Sequence, residues 1–252
     1  MKANKRFLFA GIIPARYASS RFPGKPLALI GNKPMIQRVY EQTCKSLDLV
    51  YVATDDKRIF DTVLNFGGKA IMTSPDHQSG TDRCAEAVTR IISETGNPID
   101  IVINIQGDEP FIKPEQINLL MKCFTGEKIK IATLVRRTKP GEDIFDPNQP
   151  KVILNSEGDA IYFSRAAIPF IRDAEKSAWS MKHVYYKHIG LYAYRTKTLK
   201  KITLLARSPL EISESLEQNR WIENGYRIRT AVTLWDNISI DTPDDLEKVK
   251  LL

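Results

Sequence analysis

FLFAGIIPARYASSRFPGKP (residues 7–26) joins a continuous apolar run to a loop rich in Gly, Pro, Ser and cations. The run FLFAGIIP (7–14) lacks polar alternation, the pattern of a strand buried on both faces of a parallel sheet. Ligands of open α/β sheets bind at the carboxyl ends of strands, which is where this loop begins. The loop offers the Ser19 and Ser20 hydroxyls, Gly24 for close backbone approach, and the cations Arg16, Arg21 and Lys25. Backbone N–H groups and cations of this kind hold a triphosphate. Phosphoryl transfer asks the protein for charge neutralisation more than for covalent chemistry. The loop is neither GxxxxGK[ST] nor GxGxxG, so it is not a Walker A or dinucleotide loop. A basic surface loop is the plainer alternative.

Outward from this stretch, strand and helix patterns alternate. PMIQRVYEQTCKSL (34–47) has helical spacing, LVYVAT (49–54) reads as a strand, and RIFDTVLNF (58–66) as a helix stopped by Gly67-Gly68. KAIMT (69–73) is a third strand, followed by a helix over 83–95 that Thr81 or Asp82 can cap. IDIVINIQ (99–106) is a fourth strand, and Pro114 opens a helix over 114–124. This order predicts an α/β fold with a mostly parallel sheet and helices on both faces. The second half changes rhythm: short strands at 129–137, 151–156 and 160–164, a mixed stretch at 166–183, and a strand at 184–195. A helix over 208–225, a strand over 226–235 and a capped helix over 242–252 complete the chain. No repeat or linker interrupts it, so 1–252 reads as one domain with 166–195 as a small inserted lobe.

The 252 residues suffice for a sizeable core, with 42% hydrophobic and 27% charged residues. Net charge is +7, which suits anionic ligands. The basic residues are scattered without a Lys/Arg block, so no nucleic-acid partner is expected. Cys44, Cys84 and Cys123 show no metal or redox spacing and read as small hydrophobes on helices. The first apolar run is far too short to span a membrane and has no cleavage-type flank; no membrane insertion and a cytoplasmic location are expected.

QGDEP (106–110) lies where a strand ends, on the same edge as the basic loop. Mg²⁺ takes one or two carboxylates along with phosphate oxygens and water, and Asp108 is the candidate ligand. Glu109, which precedes a proline, has the plainer reading of a solvated carboxylate. Asp241, in SIDTP, can instead cap a helix, as can Thr242. In TSPDHQSGTDR (73–83), polar residues and Gly80 suit contact with a base edge, while His77 reads as a surface or hydrogen-bonding histidine. His188 and Tyr192, four apart on a strand, share a face.

IIPARYASSRFPGKPL closely resembles the opening signature of the 3-deoxy-manno-octulosonate cytidylyltransferases, the CMP-Kdo synthetases. The resemblance continues through VATDD (52–56), MTSPDHQSGTDR (72–83), NIQGDEP (104–110), YFSRAAIPF (162–170), YKHIGLYAYR (186–195), SLEQ (215–218) and IDTPDDL (240–246). It implies a Rossmann-like nucleotidyltransferase fold, CTP and an acidic sugar as substrates, Mg²⁺ as cofactor and a homodimer. It assigns the nucleotide to Pro14, Ala15, Arg16, Ser19, Ser20, Arg21, Lys25, Ser74, Gln78, Ser79 and Gly80, with Arg16, Lys25 and Asp108 catalytic. The metal falls to Asp108 and Asp241. The sugar falls to Gln106, Arg165, His188, Tyr192, Glu217 and Gln218, with Arg165 suited to its carboxylate. Two departures stand out. WDNISIDTP replaces the glycine-containing PGTGVDTP form, which leaves the path of the loop before Asp241 and the choice of acidic sugar open; an amino-substituted Kdo or a sialic acid are the alternatives. Asn219 stands where leucine is expected, a change expected to alter packing more than chemistry. A non-catalytic nucleotide-binding regulator is the alternative from another class.

Overall fold

The computed structural model describes residues 7–19 and 21–249. In chain order the elements are β1 (Phe9–Ala15), β2 (Leu29–Ile30), β3 (Lys33–Pro34), α1 (Met35–Cys44), β4 (Val50–Thr54), α2 (Lys57–Asn65), β5 (Ala70–Met72), α3 (Gly80–Thr95), β6 (Ile101–Asn104) and α4 (Pro114–Lys122). They continue as β7 (Ile131–Arg137), β8 (Lys151–Leu154), β9 (Asp159–Ser164), α5 (Trp179–Lys182), β10 (Tyr186–Arg195), α6 (Thr196–Ile202), α7 (Pro209–Glu214), α8 (Glu217–Glu223), β11 (Ile228–Val232) and α9 (Pro243–Val249).

Two compact units emerge. The first comprises residues up to Asn118, Ala193–Thr203 and those from Asn237 onward. Its strands run in the order β5-β4-β1-β6, all parallel. Ala10, Ile12 and Ile13 of β1 and Ile101, Val102 and Ile103 of β6 are fully buried, as the continuous apolar runs require. Successive strands step from β1 to β4 and β5, and the chain then returns to place β6 on the other side of β1. The order therefore reverses between β1 and β6, and the carboxyl ends of those two strands form the crevice where such sheets bind ligands. Gly11 permits α1 and the turn after it to lie close, because a Cβ there would stand 3.0 Å from Thr43 Cγ2 and 2.9 Å from Leu47 Cδ1. A separate cluster packs Ile30, Met35, Ile240, Leu246 and Val249 with Phe22 and Phe111, holding the segment before α9 against the end of the basic loop.

The α3 helix begins earlier than its periodicity suggests. Its N-cap is Ser79, not Thr81 or Asp82: Ser79 Oγ accepts from the Asp82 N–H at 3.1 Å, and the Asp82 carboxylate accepts from the Ser79 N–H at 3.2 Å. This reciprocal capping box extends the helix by one turn into a segment without apolar periodicity.

The second unit comprises Leu119–Tyr192 and Leu204–Asp236. β11 pairs parallel with β7 and antiparallel with β9, β9 antiparallel with β8, and β8 meets β10 at Lys151 and Lys187. The unit thus mixes strand directions. Residues 166–183 hold only a 3₁₀ turn and the four-residue α5, and pack Ile171 and Trp179 with Ile144 and Tyr185. The helix expected over 208–225 is two helices, because Ser215 adopts a left-handed conformation with φ 51°. Glu214, the last residue of α7, accepts from Ser164 Oγ at 2.6 Å, Tyr162 Oη at 3.0 Å and the Arg165 N–H at 2.9 Å; these long-range bonds hold the break. Among the described residues no helix is long and apolar enough to cross a membrane. Cys84 is buried as expected, whereas Cys44 is exposed at the end of α1.

Candidate functional site

In the first unit a cavity of about 240 Å³ opens at the carboxyl ends of β1 and β6. Pro14, Ala15, Arg16, Ser19, Arg21 and Lys25 line it from the basic loop, Gln78, Ser79 and Gly80 from the start of α3, Gln106 and Asp108 from the β6 turn, and Asp241 from the segment before α9. Ser20 lies outside the described residues. Ser74 does not line the cavity: its Oγ donates to Asp76 and its N–H to Glu86.

Each wall has a local cause. Gly24 takes φ 72°, open to glycine, and starts the 3₁₀ turn Lys25–Leu27 that fixes the Lys25 stem. Gly107 is required because a Cβ there would stand 2.8 Å from the Pro14 carbonyl oxygen, so the β6 turn presses on the end of β1. Gly80 lets the N-terminus of α3 approach Pro14, with 3.2 Å left between its ideal Cβ and Pro14 Cγ. A helix N-terminus and several cations around one cavity favour an anion.

The charges converge on one point. Lys25 Nζ donates to Asp108 Oδ2 at 2.6 Å and to Asp241 Oδ1 at 3.3 Å, and Arg21 Nη2 reaches Asp241 Oδ1 at 3.1 Å. The α9 cap is Thr242, whose Oγ accepts from the Asp245 N–H at 3.2 Å while the Asp245 carboxylate accepts from the N–H groups of Asp241 and Thr242. The Asp241 carboxylate is thereby left to face the cavity rather than to cap the helix.

Glu109 is not solvated but 6% exposed. Burial, with the neighbouring charges of Asp108 and Asp241, pushes its carboxyl up to about 8, against a smaller lowering by Asn237. Asn237 Nδ2 donates to Glu109 Oε2 at 2.5 Å, and Asn237 Oδ1 accepts from Gln116 Nε2 at 2.8 Å. His77 Nε2 lies 2.5 Å from Glu86 Oε2, which also accepts from the Ser74 N–H. This tie fits the hydrogen-bonding reading of His77.

Sequence reasoning passed over Arg83. It lines the cavity, is buried, and donates to Thr73 Oγ1 at 2.6 Å and Asp55 Oδ2 at 3.1 Å. Its signal was present, since Asp55 and Arg83 lie in VATDD and TSPDHQSGTDR; their pairing is a long-range fact.

The second unit gathers other predicted residues. The His188 ring contacts Phe163 at 5.1 Å and Tyr192 at 5.2 Å, and Tyr192 meets Trp221 edge-on at 5.2 Å. The surrounding rings desolvate His188 and push it down to about 3, so it is neutral at pH 7. Thr133 Oγ1 lies 2.9 Å from the Leu191 carbonyl oxygen, 3.3 Å from that of Ile189 and 3.0 Å from His188 Nε2. Burial, with the Glu217 charge, raises the Tyr192 hydroxyl well above its ordinary value. Glu217 accepts from Arg220 Nη2 at 2.6 Å. Gln218 Nε2 is buried with no partner among the described residues. Arg165 is already engaged: Nε donates to the Glu214 carbonyl at 2.7 Å and Nη1 to the Pro147 carbonyl at 2.8 Å. Asn219 is fully buried and exchanges bonds with the Phe163 backbone, donating to its carbonyl at 2.9 Å and accepting from its N–H at 3.4 Å.

A family model described as cytidylyltransferase matches residues 10–228. The 3-deoxy-manno-octulosonate cytidylyltransferase of Bacteroides thetaiotaomicron is 57% identical over 242 residues, 95% of each chain. That of Parabacteroides distasonis is 56% identical over 244 residues, 95% of this chain and 96% of the relative. The chain belongs to the 3-deoxy-manno-octulosonate cytidylyltransferase family. A solved CMP:2-keto-3-deoxy-manno-octonic acid synthetase complexed with CTP matches with a TM-score of 0.87 at 42% identity, covering 97% of each chain. A 4-diphosphocytidyl-2C-methyl-D-erythritol synthase from Anaerococcus prevotii, 13% identical with a TM-score of 0.61, shares the fold alone. The α/β nucleotidyltransferase fold expected from sequence is thus the fold of this cytidylyltransferase family member.

Two carboxylates within reach of one ammonium also fit a hard divalent cation. Among the described residues no cluster of three or more His, Cys, Asp or Glu is arranged to hold a metal. In this family member, Asp108 and Asp241 therefore suit a cation that takes its other ligands from phosphate oxygens and water.

Proposed function

We propose that this protein transfers CMP from CTP to the anomeric hydroxyl of Kdo (3-deoxy-D-manno-octulosonate), releasing pyrophosphate. One observation carries the chemistry: the basic-loop cation Lys25 and the carboxylates Asp108 and Asp241 meet at the crevice where the strand order reverses. The choice of CTP and Kdo is supported by relatives of that name at up to 57% identity over nearly the whole chain.

The hydroxyl oxygen attacks the α-phosphorus, the bond to the β-phosphate oxygen breaks, and the hydroxyl proton leaves to solvent. Arg16, Arg21 and Lys25 neutralise charge on the departing pyrophosphate, and Ser19 and Ser20 hydrogen-bond the phosphates. Pro14, Ala15, Ser74, Gln78, Ser79 and Gly80 bind the nucleoside end, Ser74 through its own loop rather than from the cavity wall. Gln106, Arg165, His188, Tyr192, Glu217 and Gln218 bind the sugar. A His188 ring nitrogen hydrogen-bonds one sugar hydroxyl and Gln218 Nε2 donates to another. Arg165 exchanges a backbone carbonyl for the sugar carboxylate, a charge-assisted gain. Mg²⁺ held by Asp108 and Asp241 supplies Lewis-acid polarisation of the α-phosphate when bound.

CTP supply places the reaction in the cytoplasm, and CMP-Kdo is the activated sugar for lipopolysaccharide biosynthesis. A homodimer is supported by exposed Phe170, Met181 and Val184 in the 166–195 lobe; sedimentation as a monomer at micromolar concentration would oppose it. The decisive experiment incubates the protein with CTP, Mg²⁺ and, separately, Kdo, an amino-substituted Kdo and a sialic acid, and measures pyrophosphate. Kdo is expected to give the highest kcat/KM. Preference for another sugar overturns the acceptor, and no Mg²⁺-dependent pyrophosphate with any sugar favours a non-catalytic regulator.

A further inference from the structure

We propose that Asn237 is a positioning residue whose carboxamide, clamped between Glu109 and Gln116, holds Asp241 opposite Asp108. The inference rests on the two-carboxylate cation site proposed above. The segment 235–239 carries no glycine, so side-chain bonds rather than special backbone conformations must set its path.

The direction of the clamp is forced. Gln116 Oε1 accepts from the Lys113 backbone N–H at 3.1 Å, so Gln116 turns its Nε2 toward Asn237. Asn237 must then present Oδ1 to Gln116 and Nδ2 to Glu109, as the bonds at 2.8 Å and 2.5 Å show. Gln116 is fully buried and Glu109 nearly so, so neither finds water if the carboxamide is lost. A second tie lies three residues on: the Ile240 N–H donates to the Asp108 carbonyl at 2.9 Å, with the Ile240 side chain fully buried. Each carboxylate therefore sits one residue from a tie, Asp108 beside Glu109 and Asp241 beside Ile240. Asp236, on the other side of Asn237, is held by Arg136 and Lys187, so without Asn237 the stretch between Asp236 and Ile240 loses its bond to Glu109, and with it the support that keeps Asp241 opposite Asp108.

The test measures Mn²⁺ binding in the presence of CTP by electron paramagnetic resonance, together with steady-state kinetics. Asn237→Leu keeps the number and branching of side-chain heavy atoms and removes both bonds. Its Kd for Mn²⁺ is expected to rise about tenfold, the equivalent of one net hydrogen bond, with KM for CTP at saturating metal changed less than about twofold. Glu109→Gln retains an acceptor for Asn237 and is expected to stay within about threefold of wild type. The double variant Asn237→Leu, Glu109→Leu should bind Mn²⁺ no more weakly than Asn237→Leu alone, because that variant already breaks the bond to Glu109. If Asn237→Leu does not fold, Gln116→Leu removes the other half of the clamp and carries the same expectation. Wild-type Mn²⁺ affinity in the folded leucine variant, or additive losses in the double, overturns the positioning role. No Mn²⁺ binding by wild type that Asp108→Asn abolishes overturns the cation site itself and the inference with it.

Discussion

Replacing Lys25 with methionine removes a charge while keeping most of the stem. The Lys25 ammonium stands 2.6 Å from Asp108 Oδ2 and 3.3 Å from Asp241 Oδ1, and its side chain is 13% exposed. Charge-assisted bonds of this kind are worth about 1.5–3 kcal/mol when buried and about 0–1 kcal/mol at the surface. Both carboxylates are partly open to water and Asp241 keeps Arg21, so without metal the loss of stability should be about 1–2 kcal/mol. For a chain of this size that lowers Tm by roughly 2–8 °C. In the proposed cation site a divalent cation takes the position between the same two carboxylates, so Mg²⁺ with CTP should narrow the difference. Turnover should not recover, because a cation acting on transition-state charge contributes about 10²–10³ in kcat. The assay pairs thermal melts with and without Mg²⁺·CTP with pyrophosphate release under saturating substrates. A variant turning over within fivefold of wild type would refute the role of Lys25 in the chemistry. Equal melting deficits with and without metal would refute the shared cation position.

Three further outcomes are expected. Burial alone would raise the Glu142 carboxyl, but hydrogen bonds from Arg136 and Lys187 outweigh it and hold the group at about 2. A depressed folded value contributes stability above the unfolded value near 4.5 that is lost as pH falls toward 2. The contribution at neutral pH is about 3 kcal/mol before solvent screening, and urea midpoints from pH 7 to 2.5 should show Arg136→Met removing much of that acid-sensitive part. Ile240→Ala empties a fully buried position beside Asp241 and should cost about 2–5 kcal/mol, read from denaturant midpoints, with a weaker response to Mg²⁺ as well. Asn219→Leu leaves the Phe163 backbone without its side-chain partner and should lose about 1–3 kcal/mol of stability while kcat stays within twofold; a selective kcat loss would show that Asn219 acts on the chemistry.

What the sequence determined by itself is whatever neighbouring residues specify. The apolar run 7–14, the Gly/Ser/cation loop after it, and QGDEP after a second apolar run place a basic loop and a carboxylate at the ends of two strands. Periodicity carries this because burial on two faces leaves its mark on every residue of a strand. Local signals failed where a cap lay ahead of the apolar repeat or a distant partner overruled them. Ser79 caps α3 ahead of any apolar repeat, Ser215 breaks a helix that reads as continuous, and Glu109, in a turn that looks solvated, is buried under Asn237. The tertiary structure alone decided that Asp241 leaves the capping to Thr242 and faces Lys25 with Asp108. It also decided that a carboxamide in the glycine-free segment before it, that of Asn237, bonds the buried Glu109. Those outcomes depend on which side chain arrives from 83 to 216 positions away, and no periodicity in a segment records the identity of its long-range partner.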